Sequence, residues 1–376
     1  MIGNTTGSGE RMPKRVISIF GLPSHGTKER VSGVDFARII QPMEHLNGYE
    51  DADVKFEVKV YDPIKDETMN WVEVAQEYDL IYFNYTAMPW EFAKMGSMAR
   101  KFGRPLVMDS DDSLWDIMPD NSAYQALGKG SEGIKNFTSI CREVDYMTTT
   151  NKYLRNVISH HTLKPTGKIK IFPNYIDLDG LYTYRPKFKD TNDITLLHFG
   201  STTHFIDLQT KEFEKGIDMI MRDYPNVTFK TVGALIPSYK YKWGQRYKND
   251  YGHQDLYKWV RERFPLFMEE TDIIVVPLEE NRYTKCKSSI KFLEASSAKK
   301  AGVYQNIRQY EEVIEHGVNG YLADTAQDWY DSIKALIDDK KLRQRVAESA
   351  FKTVQDDWQM KNNVAQYAEF FKDILT

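Results

Sequence analysis

Cysteine is nearly absent from this chain of 376 residues: only Cys141 and Cys286 occur. Two thiols so far apart, neither in metal-ligand spacing, build no disulfide framework, so reduced thiols and a cytoplasmic setting are expected. No apolar run is long enough to span a bilayer, and Met1 to Met12 is rich in Gly, Ser and Thr rather than patterned as a signal peptide. An excess of positive charge is missing too. The chain has 50 Lys+Arg against 54 Asp+Glu, and residues 1–180 alone hold 21 against 25. That excludes a global basic field for nucleic acid or anionic lipid. Internal repeats and low-complexity stretches are also lacking.

What is present suits two ordinary domains. Hydrophobic residues make up 41% and aromatics 13%, enough for real cores. Strand-like runs fall at 15–21, 54–61, 78–84, 104–109, 144–151, 168–177, 194–200, 227–233 and 271–278. Helical patterns separate them, among them one starting near Val34 and one over 89–102. Such alternation predicts parallel sheets with helices on both faces. The expected division is a Rossmann-like domain over 1–177, a charged linker over 178–193, a second Rossmann-like domain over 194–355, and a closing helix over 356–376.

Several stretches carry candidate chemistry. After the apolar run ending at Leu278, the spacing of Ile290, Phe292, Leu293 and Ala298 predicts a helix over 287–298. Lys287 and Lys291 are four apart, as are Ile290 and Glu294, which places Lys287, Lys291 and Glu294 near one side of the first two turns. A helix start with two lysines attracts phosphate, and a carboxylate one turn on can hold sugar hydroxyls. A solvated helix face fits the same pattern. Gly200, Ser201, Thr203 and His204 follow a strand, where close backbone approach and hydroxyl donors suit a diphosphate; an ordinary helix cap fits as well. Gly21, Gly26 and Gly33 bracket a strand-to-helix turn at the ligand edge of the first sheet, with His25 inside it. A structural turn and a solvated histidine fit those positions equally. Asp109, Asp111 and Asp112 close a parallel strand, as ligand groups or as an Asx-rich cap. Residues 236–263 interleave Lys and Arg with Tyr and Trp, the pattern of a nucleic-acid surface or of solvated helices with half-buried rings.

Taken together, Lys287-Ser288-x-x-Lys291-x-x-Glu294, Gly200-Ser201-x-Thr203-His204-x-x-Asp207-Leu208, Pro173-Asn174-x-Ile176-Asp177, Asp111-Asp112-x-x-Trp115 and Asn319-Gly320-Tyr321-Leu322 resemble the group 1 glycosyltransferases, retaining family 4 in particular. The resemblance implies a GT-B fold: two Rossmann-like domains facing a cleft, with the last helix crossing back to the first domain. It implies transfer of a sugar from a nucleotide-sugar, expected to be a UDP-sugar, to an acceptor hydroxyl with retention. Donor contacts would come from Gly200, Ser201, Thr203, His204, Lys287, Ser288, Lys291 and Glu294. Catalytic groups would be Asp111, Asp112, His25 and Lys287. The acceptor side would include Gly21, Gly26, Gly33 and Arg38, the last facing the cleft. No essential metal is expected, because lysines supply the positive charge. The chain departs from the family at one position: the first Glu of the usual Glu-x7-Glu falls at Cys286. The expected acceptor is a glycan. A hydroxymethylated DNA base, or an epimerase or non-catalytic sugar-nucleotide module on the same fold, are the alternatives.

Overall fold

In a computed structural model, residues 14–24, 30–62, 69–86, 88–121, 123–201, 204–252 and 255–376 are described. His25, Gly26 and Thr203 lie outside them. Six strands make a first sheet: β1 (Arg15–Leu22), β2 (Val54–Val60), β3 (Leu80–Asn84), β4 (Leu106–Ser110), β5 (Tyr146–Thr149) and β6 (Ile169–Ile171). Six more make a second: β7 (Ile194–Phe199), β8 (Val227–Val232), β9 (Tyr247–Asp250), β10 (Ile273–Val276), β11 (Ala301–Gln305) and β12 (Tyr321–Ala323). The spatial orders are β2-β1-β3-β4-β5-β6 and β12-β11-β10-β7-β8-β9, with parallel pairing at the central β1–β3 and β7–β10 contacts. Chain order therefore reverses between β1 and β3, and again between β7 and β10. In doubly wound sheets the ligand crevice opens beyond the strand ends at that reversal.

Central strands explain the burial pattern. Every residue of β3, β4 and β10 is buried, as a parallel strand covered on both faces requires. Helix α1 runs over 33–46, with a π-helical middle at Phe36–Ile40, and Ser32 caps its first turn by accepting from the Asp35 amide. Its stripe Phe36, Ile39, Met43 and Leu46 is buried. Helix α2 spans Pro89–Phe102 and ends on Gly103 at φ +66°, a left-handed stop that favours glycine. The last helix, Met360–Leu375, lays Val364, Tyr367, Phe370 and Phe371 against Ile17, Ile19 and Phe56 of the first sheet. Tyr367 stacks on Phe172 with ring centroids 3.8 Å apart. The chain thus crosses back onto its first sheet unit, as the GT-B resemblance implies.

Two acceptor-side expectations are corrected here. Arg38 does not face the cleft; it is fully buried. Its Nε and Nη2 donate to the two oxygens of Asp109 at 2.9 and 2.8 Å, and Nη1 donates to the Phe172 carbonyl and to Asn174 Oδ1. Burial alone would favour losing its proton, but the charge of Asp109 outweighs burial and holds the guanidinium more firmly protonated than usual. Gly21 lies in β1, where the strand-like run over 15–21 placed it, but away from the acceptor side: a Cβ there would come 3.2 Å from Met43 Cγ on α1. Its role is close helix–strand packing.

The basic and aromatic segment over 236–263 divides between core and surface, with Tyr241 and Tyr251 exposed. Tyr239 and Tyr247 are buried, and Trp243 lies 4.4 Å from the Tyr239 ring. Phe229 of β8 completes the cluster. Lys242 pairs with Asp218 at 3.1 Å and Arg263 with Asp250 at 3.0 Å. The sequence pattern did not announce β9, whose Tyr247 turns inward to donate or accept at Thr231.

Arg38→Ala should cost about 3–5 kcal/mol, because it leaves Asp109 charged, buried and unpaired. Urea unfolding of wild type and variant checks this; a change below about 1 kcal/mol would show that the network relaxes around the loss.

Candidate active site

One short run of the second sheet unit, 283–288, holds the strand-end loops of the first. Lys287 Nζ lies 2.7 Å from Asp112 Oδ2, beyond β4, and Tyr283 donates its hydroxyl to the same oxygen at 3.0 Å. Asn151, beyond β5, donates to the Cys286 carbonyl at 2.8 Å. Asn174, beyond β6, donates to Ser288 Oγ at 2.7 Å. Between the units lies a cavity of about 330 Å³ lined in part by Asp111, Asp112, His204, Lys287, Lys291 and Glu294.

The expected helix over 287–298 begins later. Helix α3 spans Ile290–Ser297, and Lys287 precedes it in an extended conformation. Ser288 and Ser289 do not cap it: Ser289 takes the cap position without a side-chain hydrogen bond, and Ser288 is used by Asn174. The two lysines therefore reach the cavity from different backbone segments. Cys286, where a Glu would stand, is buried in the apolar cluster beneath β4 and β5. Burial first, then Asp116, pushes its thiol up to about 12. A carboxylate there would be desolvated beside Asp116 and Asp112.

The floor is built at the reversal of the second sheet. Gly200 follows β7, and a Cβ on it would meet His204 Cδ2 at 2.5 Å and Lys291 Nζ at 3.0 Å. Glycine is thus what lets the imidazole and the ammonium close over the strand end. His204 Nδ1 lies 2.7 Å from Asp207 Oδ2, whose other oxygen accepts from the Glu279 amide at 2.8 Å. Burial, then Lys291 and Lys287, hold the His204 imidazole well below its ordinary pKa. The neutral form is therefore favoured, and with Asp207 ionised its single proton sits on Nδ1. Lys291 is buried and its Nζ makes no hydrogen bond or ion pair among the described residues; it lies 5.1 Å from the Phe199 ring centroid. Burial lowers its pKa, Glu294 and Asp207 oppose that, and Lys287 adds to it. A buried ammonium without a counter-ion is the standing invitation to an anion.

Opposite stand the carboxylates. Burial, then Asp112 and Asp109, push Asp111 from an ordinary 3.8 up to about 7, against the pull of Arg38 and Lys287. Asp112 is occupied by Lys287 and Tyr283. That pairing keeps Lys287 more firmly protonated than usual, although burial works the other way. Glu294 accepts from the Tyr182 hydroxyl at 3.0 Å, and burial raises its pKa.

The cavity unites Asp111, Asp112, Gly33, His204, Lys287, Ser288, Lys291 and Glu294, with Gly200 directly beneath. Ser201 is exposed beside it, and its carbonyl accepts from the His204 amide at 3.2 Å. Arg38 and Gly21 are not part of it. Sequence reasoning passed over Tyr182, in a linker without period, and Tyr283, in a polar loop. It also gave no role to Asp207, although the His204/Asp207 spacing of three was a usable signal. Among the described residues no group of three His, Cys, Asp or Glu side chains could hold a metal, and no helix is long and apolar enough to cross a membrane.

Residues 196–339 match the family model described as Glycosyl transferases group 1. No curated protein shows a significant match. Several solved structures align over nearly the whole chain. HepE of Anabaena, in complex with UDP and glucose, is 16% identical with a TM-score of 0.63, covering 94% of this chain and 99% of that one. Sucrose-phosphate synthase of Thermosynechococcus elongatus is 12% identical with a TM-score of 0.62, covering 96% and 99%. A glycosyltransferase of Rickettsia africae is 12% identical with a TM-score of 0.61, covering 97% and 100%. At these identities the likeness is one of fold, two sheet units arranged as in GT-B proteins.

Asp111 supplies a pH test. Its raised folded value means stability is fully present below about 4 and lost as pH rises through about 7. Asp111→Asn should therefore melt increasingly above wild type between pH 4 and pH 8. A constant difference across that range, followed by calorimetry, would mean Asp111 titrates normally.

Proposed function

We propose that this chain is a glycosyltransferase that moves a sugar from a UDP-sugar to a glycan hydroxyl with retention, using the cavity over α3; the group 1 match over residues 196–339 and the GT-B-like fold support this reading. The observation that carries the donor assignment is the unpaired, buried ammonium of Lys291 against Gly200 and His204. The UDP and UDP-glucose complexes of Anabaena HepE support a uridine nucleotide for this fold. The boundaries expected from sequence, 1–177 for the acceptor-side domain and 194–355 for the donor-side domain, go with this reading.

Each side chain has a task in it. The bond from the sugar C1 to the diphosphate oxygen breaks, the acceptor oxygen bonds to C1, and the acceptor proton passes to the departing diphosphate. Negative charge grows on the departing diphosphate, and fixed positive charge near it lowers the barrier. Lys291 supplies that charge directly. Lys287 supplies it from the seam, shared with Asp112. His204 meets a phosphate oxygen through Nε2 only after taking a second proton, because its first is given to Asp207. Glu294, steadied by Tyr182, accepts the ribose hydroxyls. Asp111, able to hold or release a proton near pH 7, faces the reacting hydroxyls. Retention rests on the family 4 resemblance. The glycan reading is favoured over a DNA base because residues 1–180, on the acceptor side, carry 25 acidic against 21 basic residues, an awkward host for duplex DNA.

Lys291→Ala should weaken UDP binding by about 1–3 kcal/mol, as the loss of a charge-assisted contact does. It should not lower the melting temperature of the free protein, since a buried unpaired charge is removed. Wild-type affinity by calorimetry would sink the donor assignment.

Glu294→Gln keeps the Tyr182 hydrogen bond but loses charge, and should lower UDP affinity with little change in melting. Should the variant unfold while residual binding persists, Glu294 is a structural residue.

A further inference from the structure

A second and larger cavity, about 920 Å³, opens at the reversal of the first sheet, beyond the ends of β1 and β3. It does not share lining with the donor cavity. The two lie on different faces of α1: Gly33, Ala37 and Gln41 line the donor side, while Ile40 and Glu44 line the other. Its size is that of a pocket for a sizeable ligand. Its walls carry Tyr61, Trp71 and Trp90 from the first unit and Tyr257 from the second. Trp90 is 58% exposed at the cavity wall, with Lys94 Nζ 5.4 Å from its ring centroid. Tyr257 is brought in by a strap: the Val31 amide donates to Asp255 Oδ2 at 2.9 Å, and the Leu256 amide to the Val31 carbonyl at 3.0 Å.

We propose that this cavity is a saccharide-anchoring subsite, holding an uncharged part of the acceptor glycan one helix away from the donor cavity. The inference rests on the glycosyltransferase reading. Electron-rich ring faces meet the polarised C–H faces of sugars, and the carboxylates of Glu44 and Glu91 accept sugar hydroxyls. Among the described residues three cations and five carboxylates line the cavity, so their balance is acidic. A polyanion would need the opposite, which turns the choice from a nucleic acid or phosphorylated polymer toward a neutral sugar. Because Tyr257 comes from the donor-side unit, the subsite is complete only when the strap at Val31 is made. Acceptors with several sugar units should then be preferred over monosaccharides.

Calorimetry with neutral trisaccharides of glucose, mannose, galactose and N-acetylglucosamine tests this on the full chain. At least one should bind, and Trp90→Ala and Tyr257→Ala should each weaken it tenfold or more. Trp90 is largely exposed, so its variant keeps the fold. Tyr257→Phe, which keeps the ring, should restore most of the affinity. UDP binding should be unchanged in all three. The proposal is overturned if no trisaccharide binds, if the alanine variants bind as wild type does, or if a single-stranded DNA oligomer displaces the sugar. Absence of UDP binding in the wild type would instead count against the donor reading, with the saccharide result still deciding the subsite.

Discussion

Everything at the cleft depends on the seam made by residues 283–288. A chain segment that leaves β10 crosses to the other unit, buries Cys286 in its core, and returns to open α3. Along the way it ties down the loops after β4, β5 and β6 through Asp112, Asn151 and Asn174. The ion pair of Lys287 with Asp112 is the charged member of this seam. Because it is only partly exposed, it is stronger than a surface pair and still open to competition from an anion.

From that seam the charge distribution of the donor cavity follows. Lys287 is neutralised by Asp112, so the positive charge left over is that of Lys291. The same field depresses His204, keeps it neutral, and so leaves the free site less cationic than its residue list suggests. Burial raises Asp111 and Glu294 together. Of these groups Asp111, at about 7, is the one poised to exchange a proton near neutral pH, while Lys291 offers fixed positive charge to a leaving diphosphate.

Much of this was legible in the sequence, and the reasons are local. The apolar runs gave both sheets, because parallel strands buried on two faces show as continuous hydrophobic segments. Lys291 and Glu294 could be placed one turn apart because α3 has helical period. What could not be read were pairings across long chain separations. Arg38 meets Asp109 across 71 positions, and no periodicity distinguishes a buried arginine from one at the cleft. Lys287 meets Asp112 across 175 positions, which is why it was assigned to the helix instead of the seam. Tyr182 sits in an aperiodic linker. In the 236–263 segment the rings were visible but their direction was not: Tyr239, Trp243 and Tyr247 pack against Phe229, whereas Tyr241 and Tyr251 are exposed.

The most direct test of the account is the proton balance of UDP binding. His204 must gain a proton when a phosphate oxygen reaches its Nε2, so binding at pH 7 should take up protons. Calorimetric titrations of UDP into the wild type, in buffers of different ionisation enthalpy, should show a binding enthalpy that changes with the buffer in the direction of uptake, and His204→Gln should weaken that dependence, leaving the part due to Asp111. Binding with no buffer dependence, or the same dependence in His204→Gln, would contradict the account.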